Sequence, residues 1–182
     1  MKKALILLAD GFEEVEAVTP MDYLRRAGIE VILAGVSGEY ITGAHGITLK
    51  TDLDVAGTED LELNAVVLPG GMPGAENIAA SGDALRLILR VFHAGGLIAA
   101  ICAAPAVVLD PLGVLKNKQA TCYPGFEKRF MDAAYVQDRV VLDGNVITSC
   151  GPGCAADFSF AIIDYLAGGK QADKVRQRTL HH

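Results

Sequence analysis

The sequence has no tryptophan, only four histidines and four cysteines in 182 residues, and fewer basic than acidic side chains. Its 16 Lys and Arg residues against 22 Asp and Glu residues give a formal charge of −6, which argues against the basic surface that nucleic-acid binding requires. It also lacks an apolar run long enough to span a bilayer. We therefore expect neither a nucleic-acid partner nor a membrane protein.

Common cofactor motifs are missing as well. The loop Pro69-Gly-Gly-Met-Pro-Gly74 has no Lys-Ser/Thr pair, and no Gly-x-Gly-x-x-Gly fingerprint follows the first predicted strand, which argues against nucleotide binding. Cys150 and Cys154 stand alone as C-x-x-x-C, without the second pair of a structural zinc site. The sequence therefore predicts neither nucleotide binding nor a metal site.

The N-terminal segment Met1–Leu8 resembles the opening of a signal peptide, but its apolar run is short and acidic residues follow from Asp10 onward. We interpret it as a first β-strand and expect a cytoplasmic location with reduced thiols. Residues 1–180 are predicted to form one domain. His181 and His182 are interpreted as a possible remnant of a purification tag.

Strand and helix patterns alternate along the chain. Strands are predicted at 3–8, 30–34, 65–68, 97–101 and near 119–122, 139–142 and 146–149, with a short β excursion over 41–49. Helices are predicted at 14–27 and 83–94, together with a final long helix after Gly153. This order predicts an α/β fold with a mostly parallel sheet and helices on both faces.

Cys102 lies where a nucleophile is expected. The aliphatic strand 97–101 ends at this cysteine and a helix is predicted to follow without a linker. The small residues Ala100 and Ala104 flank it at the spacing of a strand-to-helix elbow. A thiol there would meet the positive end of the helix dipole, which favours the thiolate. The alternative is a buried structural cysteine, which is our interpretation of Cys122 and Cys154; Cys150, at a strand end, stays open.

Two further loops should converge on this cysteine, because ligands bind at the carboxyl ends of parallel strands. One carries the acidic run 13–16, although for Glu13 and Glu14 the sequence favours a role in the helix dipole and cap. The other contains Gly70 and Gly71, whose backbone N–H groups a ligand can approach closely. His93 near a helix end is interpreted as a surface residue, and His45 is a weak candidate for the site, so a Cys-His hydrolytic pair is poorly supported.

Five ordered segments resemble the ThiJ/PfpI superfamily, in the branch of the Parkinsonism-associated deglycase and its bacterial relatives. They are Ala9–Ala17, Leu24–Gly28, Val66–Gly71, Leu97–Pro105 and Thr148–Gly153. The resemblance covers nearly the whole chain. It implies a flavodoxin-like three-layer sandwich, like that of class I glutamine amidotransferases, which usually forms a homodimer and needs no cofactor.

The resemblance also implies roles for individual residues. Cys102 matches the oxidation-sensitive nucleophile of that family, and Glu16 matches the carboxylic acid that hydrogen-bonds it. Gly71 and the Ala103 N–H would hold an oxyanion, and Arg26 matches an arginine often placed at the dimer interface.

The chain departs from the family at three positions. A common histidine before proline is Tyr123 here, and two arginines that surround the oxidised cysteine in some members are replaced by His45 and Cys150. Stabilisation of a cysteine sulfinate and a protease activity are therefore less expected.

These readings predict a cofactor-independent glyoxalase or deglycase that acts on α-oxoaldehydes, such as methylglyoxal, or on glycated protein side chains. Cys102 would be the nucleophile and Glu16 the acid and base. The alternative is a redox-responsive stress protein or chaperone in which Cys102 is oxidised. A third possibility is a small-molecule binding module with a relict site.

Overall fold

Seven strands form the central sheet of the computed structural model, which describes residues 1–181. Residues 1–181 contain eleven strands in all, inside and outside this sheet: β1 (Lys3–Leu8), β2 (Glu30–Gly35), β3 (Tyr40–Thr42), β4 (Thr48–Lys50), β5 (Leu53–Asp54), β6 (Ala65–Leu68), β7 (Leu97–Ile101), β8 (Gln119–Ala120), β9 (Ala134–Tyr135), β10 (Val140–Asp143) and β11 (Val146–Ser149). The sheet order is β10-β11-β7-β6-β1-β2-β5, and every neighbouring pair is parallel except β10–β11. β3 pairs with β4, and β8 with β9, outside this sheet.

Helices cover both faces of the sheet. They are α1 (Glu14–Arg26), α2 (Gly74–Ala80), α3 (Gly82–His93), α4 (Ala155–Ala167) and α5 (Gly169–Arg178). Alternate residues of β1 pack on opposite sides: Ile6 lies in the core with α1, α4 and α5, while Leu7 lies in the core with α2 and α3. Because both faces are covered, the central strands are apolar throughout. The predicted flavodoxin-like α/β sandwich is confirmed, and no helix within residues 1–181 is long and apolar enough to cross a membrane.

Several predicted elements differ from the structure. Instead of a regular helix after the cysteine elbow, a five-residue π-helix spans Pro105–Leu109. The strand predicted at 119–122 ends at Ala120. After the final predicted helix, Gly168 at φ +85° turns the chain into the separate helix α5. Helix α2, within the Gly- and Pro-rich region, was missed because seven residues give no clear periodicity.

The predicted tag remnant begins at His181, which packs against α4. Its ring lies 5.1 Å from the ring of Phe160, and its Nε2 lies 3.5 Å from Asp157 Oδ1. His182 lies outside the described residues, so the interpretation of this pair as a tag stays a prediction.

Phe158 provides a test of the core beneath α4. Its side chain is fully buried, whereas Tyr165 on the same helix is 41% exposed. We expect Phe158→Ala to lower the free energy of unfolding by about 3–5 kcal/mol, because it leaves a cavity against the sheet. Tyr165→Ala is the matched control and should cost less than about 1 kcal/mol. Urea denaturation measures both, and equal losses would contradict the described packing.

Candidate active site

The topology brings three loops together at one edge of the sheet. β1 lies between β2 and β6, and the chain first adds β2 on one side of it and then β6 and β7 on the other side. In open α/β sheets, ligands bind at the carboxyl ends of the strands near such a reversal of order. The predicted loops after β1, β6 and β7 all lie there.

Cys102 occupies a strained elbow directly after β7. Its φ is +65°, a left-handed conformation that non-glycine residues rarely adopt and that is common at functional turns. Its N–H donates to the Ser149 carbonyl at 2.9 Å, and its carbonyl accepts from the N–H of Tyr123 at 2.8 Å. Ala100 and Ala104 are fully buried around it. The backbone therefore holds a half-buried thiol in a fixed direction.

Glu16, from the first turn of α1, brings a carboxyl group to this thiol. The residue is completely buried, its Oε2 accepts the Gly70 N–H at 2.8 Å, and its carboxyl group interacts with the Cys102 thiol. Its Oε1 is buried and has no partner that meets hydrogen-bond geometry among residues 1–181. The carboxyl group therefore has one fixed oxygen and one oxygen with unused hydrogen-bonding capacity.

The two side chains shift each other's protonation. Burial raises the pKa of Glu16 to about 7, against the opposing hydrogen bonds from Gly70 and Cys102. Burial and the charge of Glu16 raise the pKa of Cys102 to about 12. The expectation that the helix dipole favours a resting thiolate is therefore wrong. The following π-helix is only five residues long, and burial beside an acid outweighs its dipole.

Two backbone donors point at the sulfur. The N–H groups of Gly71 and Ala103 interact with the thiol and oppose the rise in its pKa, so both favour its charged form. Gly71 has φ +85°, and a Cβ there would collide with the backbone of Glu13. Gly70, predicted to line the site, instead gives its N–H to Glu16. A Cβ on Gly70 would lie 2.6 Å from Cys102 Cβ and 2.9 Å from Glu16 Oε2.

His45 lies beside the acidic run rather than in contact with the thiol. Its Nδ1 is 2.8 Å from Glu14 Oε2 and 3.8 Å from Glu13 Oε1. The hydrogen bond to Glu14, followed by the charges of Glu13 and Glu14, raises the pKa of His45. Ligating atoms of these three residues lie within 4.8 Å of one another, a geometry that could hold a metal ion.

Glu14 has a structural role that sequence reasoning missed. It is 5% exposed, and its Oε1 accepts the N–H of His45 at 2.7 Å. A Cβ on Gly43 would collide with its carboxyl group. Glu14 therefore fixes the loop between β3 and β4 onto α1, whereas the sequence favoured a role in the helix dipole. No local pattern distinguishes this buried acid from its neighbours.

Tyr123, Cys150 and Arg26 are the remaining residues that the sequence predicts for the site or for a dimer interface. Tyr123 is joined to Cys102 through its backbone, and its ring lies against Gly151. Cys150 follows Ser149 and contacts Cys154, with their Sγ atoms 3.0 Å apart. Arg26 lies at the exposed end of α1, with its Nε 2.6 Å from Asp22 Oδ2. A dimer interface at Arg26 stays a prediction.

Residues 2–165 match the family model described as the DJ-1/PfpI family. The chain is 40% identical to the protein dj-1beta of Drosophila melanogaster over 182 residues, which cover 98% of this chain and 97% of that protein. It is 36% identical to a deglycase of Pyrococcus abyssi over 153 residues, 83% of this chain and 91% of the relative. The chain therefore belongs to the DJ-1/PfpI family.

Solved structures agree with this assignment. Oxidised DJ-1 of Toxoplasma gondii superposes with a TM-score of 0.95 at 36% identity, covering 99% of this chain and 98% of that one. A DJ-1 superfamily protein of Salmonella typhimurium gives 0.97 at 33% identity, with both chains fully covered. Relative lengths differ within the family: the chain matches only 40% of the length of DJ-1 homolog B of Arabidopsis thaliana.

The raised pKa of Glu16 predicts a pH-dependent stability. The pKa of Glu16 is 4.5 in an unfolded chain and about 7 in the folded protein. Between these two pH values the folded protein keeps a proton that the unfolded chain has released. The free energy of unfolding therefore falls as pH rises through this window, by about 3 kcal/mol relative to a variant without the acid. We expect Glu16→Gln to remove this loss when urea denaturation is compared at pH 5 and pH 8.

The exposed Glu62→Gln serves as the control and should follow the wild-type pH dependence. Parallel curves for wild type and Glu16→Gln would show that Glu16 ionises in the folded protein as it does in the unfolded chain.

Proposed function

We propose that the protein converts small α-oxoaldehydes, or their early adducts with protein side chains, to 2-hydroxy acids without a cofactor. The observation that carries this proposal is the buried Glu16 carboxyl group against the Cys102 thiol, beside the N–H groups of Gly71 and Ala103. A nucleophile, a proton carrier and two oxyanion donors are what addition to a carbonyl requires. The deglycase-named relative from Pyrococcus abyssi supports the same chemistry.

In this mechanism the Cys102 sulfur adds to the aldehyde carbon while Glu16 takes the thiol proton. Glu16 passes this proton to the aldehyde oxygen, which becomes the hydroxyl of a hemithioacetal. Glu16 then takes a proton from the former aldehyde carbon and returns it to the neighbouring carbonyl carbon through an enediol. The hydroxyl proton moves to the oxygen of that neighbouring carbon, which leaves a thioester on Cys102. Water cleaves the thioester, frees the thiol and releases the 2-hydroxy acid, which is lactate when the substrate is methylglyoxal.

The pKa values of the two groups suit a coupled step. At neutral pH the thiol keeps its proton while Glu16, with a pKa of about 7, exists in both forms. A carboxylate beside the thiol can therefore accept its proton as the carbon–sulfur bond forms. The Gly71 and Ala103 N–H groups, which favour the charged form of Cys102, would also stabilise negative charge that develops in this step.

A redox-responsive role for Cys102 is the competing proposal. A half-buried thiol whose pKa is raised to about 12 is a poor target for peroxide, because peroxide reacts with the thiolate. The relative solved as an oxidised DJ-1 shows that oxidised forms occur in the family. Turnover separates the two proposals, since an oxidised sensor cysteine is consumed and a catalytic cysteine is regenerated.

Conversion of methylglyoxal to lactate tests the enzymatic proposal. With metal-stripped protein and no glutathione, we expect multiple turnovers, and Cys102→Ser and Glu16→Gln should each reduce kcat/KM at least about 100-fold. Cys122→Ser is the matched control, because this cysteine is fully buried outside the proposed machinery. Circular dichroism checks that each variant is folded. Wild-type turnover in folded Cys102→Ser would rule out the mechanism.

The pH dependence of kcat/KM tests the base role of Glu16. Since the ionised carboxylate accepts the thiol proton, kcat/KM should rise with pH up to about 7 and then level off. Below this point the slope should approach tenfold per pH unit. A profile that falls with pH over this range would mean that the protonated acid, rather than the carboxylate, starts the reaction.

A further inference from the structure

Two cysteines outside the proposed active site lie in contact with each other. Cys150 follows β11 and Cys154 precedes α4, and the segment between them is Gly-Pro-Gly. Their Sγ atoms are 3.0 Å apart, and both are free thiols. A disulfide bond is about 2.05 Å long, so the sulfur atoms need to approach by only about 1 Å to form one.

The backbone holds this pair in a short, fixed turn. The Cys154 N–H donates to the Gly151 carbonyl at 2.8 Å, and the Cys150 N–H donates to the Arg139 carbonyl at 3.3 Å. The Ser149 hydroxyl donates to the same Arg139 carbonyl at 2.7 Å. The two thiols are thus placed by local contacts, and their pairing needs no rearrangement of the sheet.

The two thiols differ in access. Cys154 is 5% exposed, whereas Cys150 is half-buried and lines a cavity of about 470 Å³ together with Thr121, Cys122 and Arg139. The Thr121 hydroxyl is buried in this wall without a hydrogen-bond partner in the described part of the chain, 1–181. The Arg139 guanidinium, which is paired with Asp157, interacts electrostatically with both cysteines. A small reagent that enters this cavity therefore reaches Cys150 before Cys154.

Cys154 is suited to the second step. Burial, the hydrogen bond with Cys150 and the charge of Cys150 raise its pKa to about 11, so it does not compete with Cys150 for the first attack on a hydroperoxide, and its role depends on its position. It already contacts the sulfur that it would attack. Cys150 is therefore the attacking thiol and Cys154 the resolving thiol.

We propose that Cys150 and Cys154 form a second reactive site, separate from Cys102, that reduces small hydroperoxides and closes to an intramolecular disulfide. The Cys150 thiolate attacks the terminal oxygen of the hydroperoxide, the O–O bond breaks, and an alcohol leaves after taking a proton. The sulfur of the resulting sulfenic acid is attacked by Cys154, which forms the S–S bond and releases water. Two thiols are oxidised, and one hydroperoxide is reduced to alcohol and water.

This proposal does not depend on the proposed function, because the reaction does not involve Cys102 or Glu16. The disulfide reopens by exchange with an external dithiol, which restores both thiols. The site therefore cycles only when such a reductant is supplied.

Tryptic digestion allows a direct test. Cleavage after Arg139 and Lys170 gives one peptide, 140–170, that holds both Cys150 and Cys154, while Cys102 and Cys122 fall in peptides 91–116 and 119–128. The test uses Cys102→Ser protein treated with one equivalent of hydrogen peroxide and then alkylated. We expect peptide 140–170 to be lighter than its reduced form by two hydrogen atoms and to carry no alkyl group. Dithiothreitol should restore two alkylation sites.

Two variants sharpen the result. In Cys154→Ser, the Cys150 sulfenic acid loses its resolving thiol and should be captured by dimedone. Cys122→Ser, which removes the other cysteine of the same cavity, should still form the disulfide within peptide 140–170, because Cys122 is not the resolving thiol. Two alkylated cysteines in peptide 140–170 after peroxide treatment, or a disulfide that joins two chains, would overturn the proposal, and neither outcome bears on methylglyoxal turnover.

Discussion

The complete burial of the Glu16 carboxyl group is the constraint on which the geometry of the site depends. An ionised carboxylate removed from water is costly unless hydrogen bonds replace the lost hydration. Here the Gly70 N–H donates to the carboxyl group and Cys102 interacts with it, while the Gly70 carbonyl accepts the N–H of Glu13. Helix α1, the loop after β6 and the cysteine elbow are therefore joined around one side chain. Gly70 has to be glycine, because a Cβ would enter the space between Cys102 and Glu16.

Much of the fold follows from local signals. The aliphatic runs that form β1, β6 and β7 are too short for helices and too apolar for a half-exposed sheet, so they predict central parallel strands. Elements that depend on tertiary contacts were not predictable. Helix α5 begins where Gly168 redirects the chain after α4. Its residue Gln171 donates a hydrogen bond to the carbonyl of Ala27, which lies 144 positions earlier in the sequence. Such a contact leaves no periodic pattern.

For the same reason, the local sequence predicts Cys102 but does not single out Glu16. Cys102 was found from its own surroundings, because a strand, small flanking residues and a sharp turn are local features. Glu16 came from the family resemblance, since three carboxylates in one loop look alike until the fold buries two of them. The protonation of Cys102 was predicted in the wrong direction, because it depends on solvent exclusion and on an acid 86 positions away, which the dipole argument ignores.

The parallel order of the sheet also determines when the site exists during folding. Glu16 and Gly70 are 54 positions apart, and the carbonyl that holds the Cys102 N–H belongs to Ser149 at the end of β11. Contacts of such long range form late, because their loop-closure entropy has to be overcome first. A nascent chain on the ribosome exposes Cys102 before β11 has been synthesised, when neither its partner acid nor its backbone anchors need be in place. The reactive geometry is thus a property of the completed protein, and it is absent from every partly synthesised form that lacks β11.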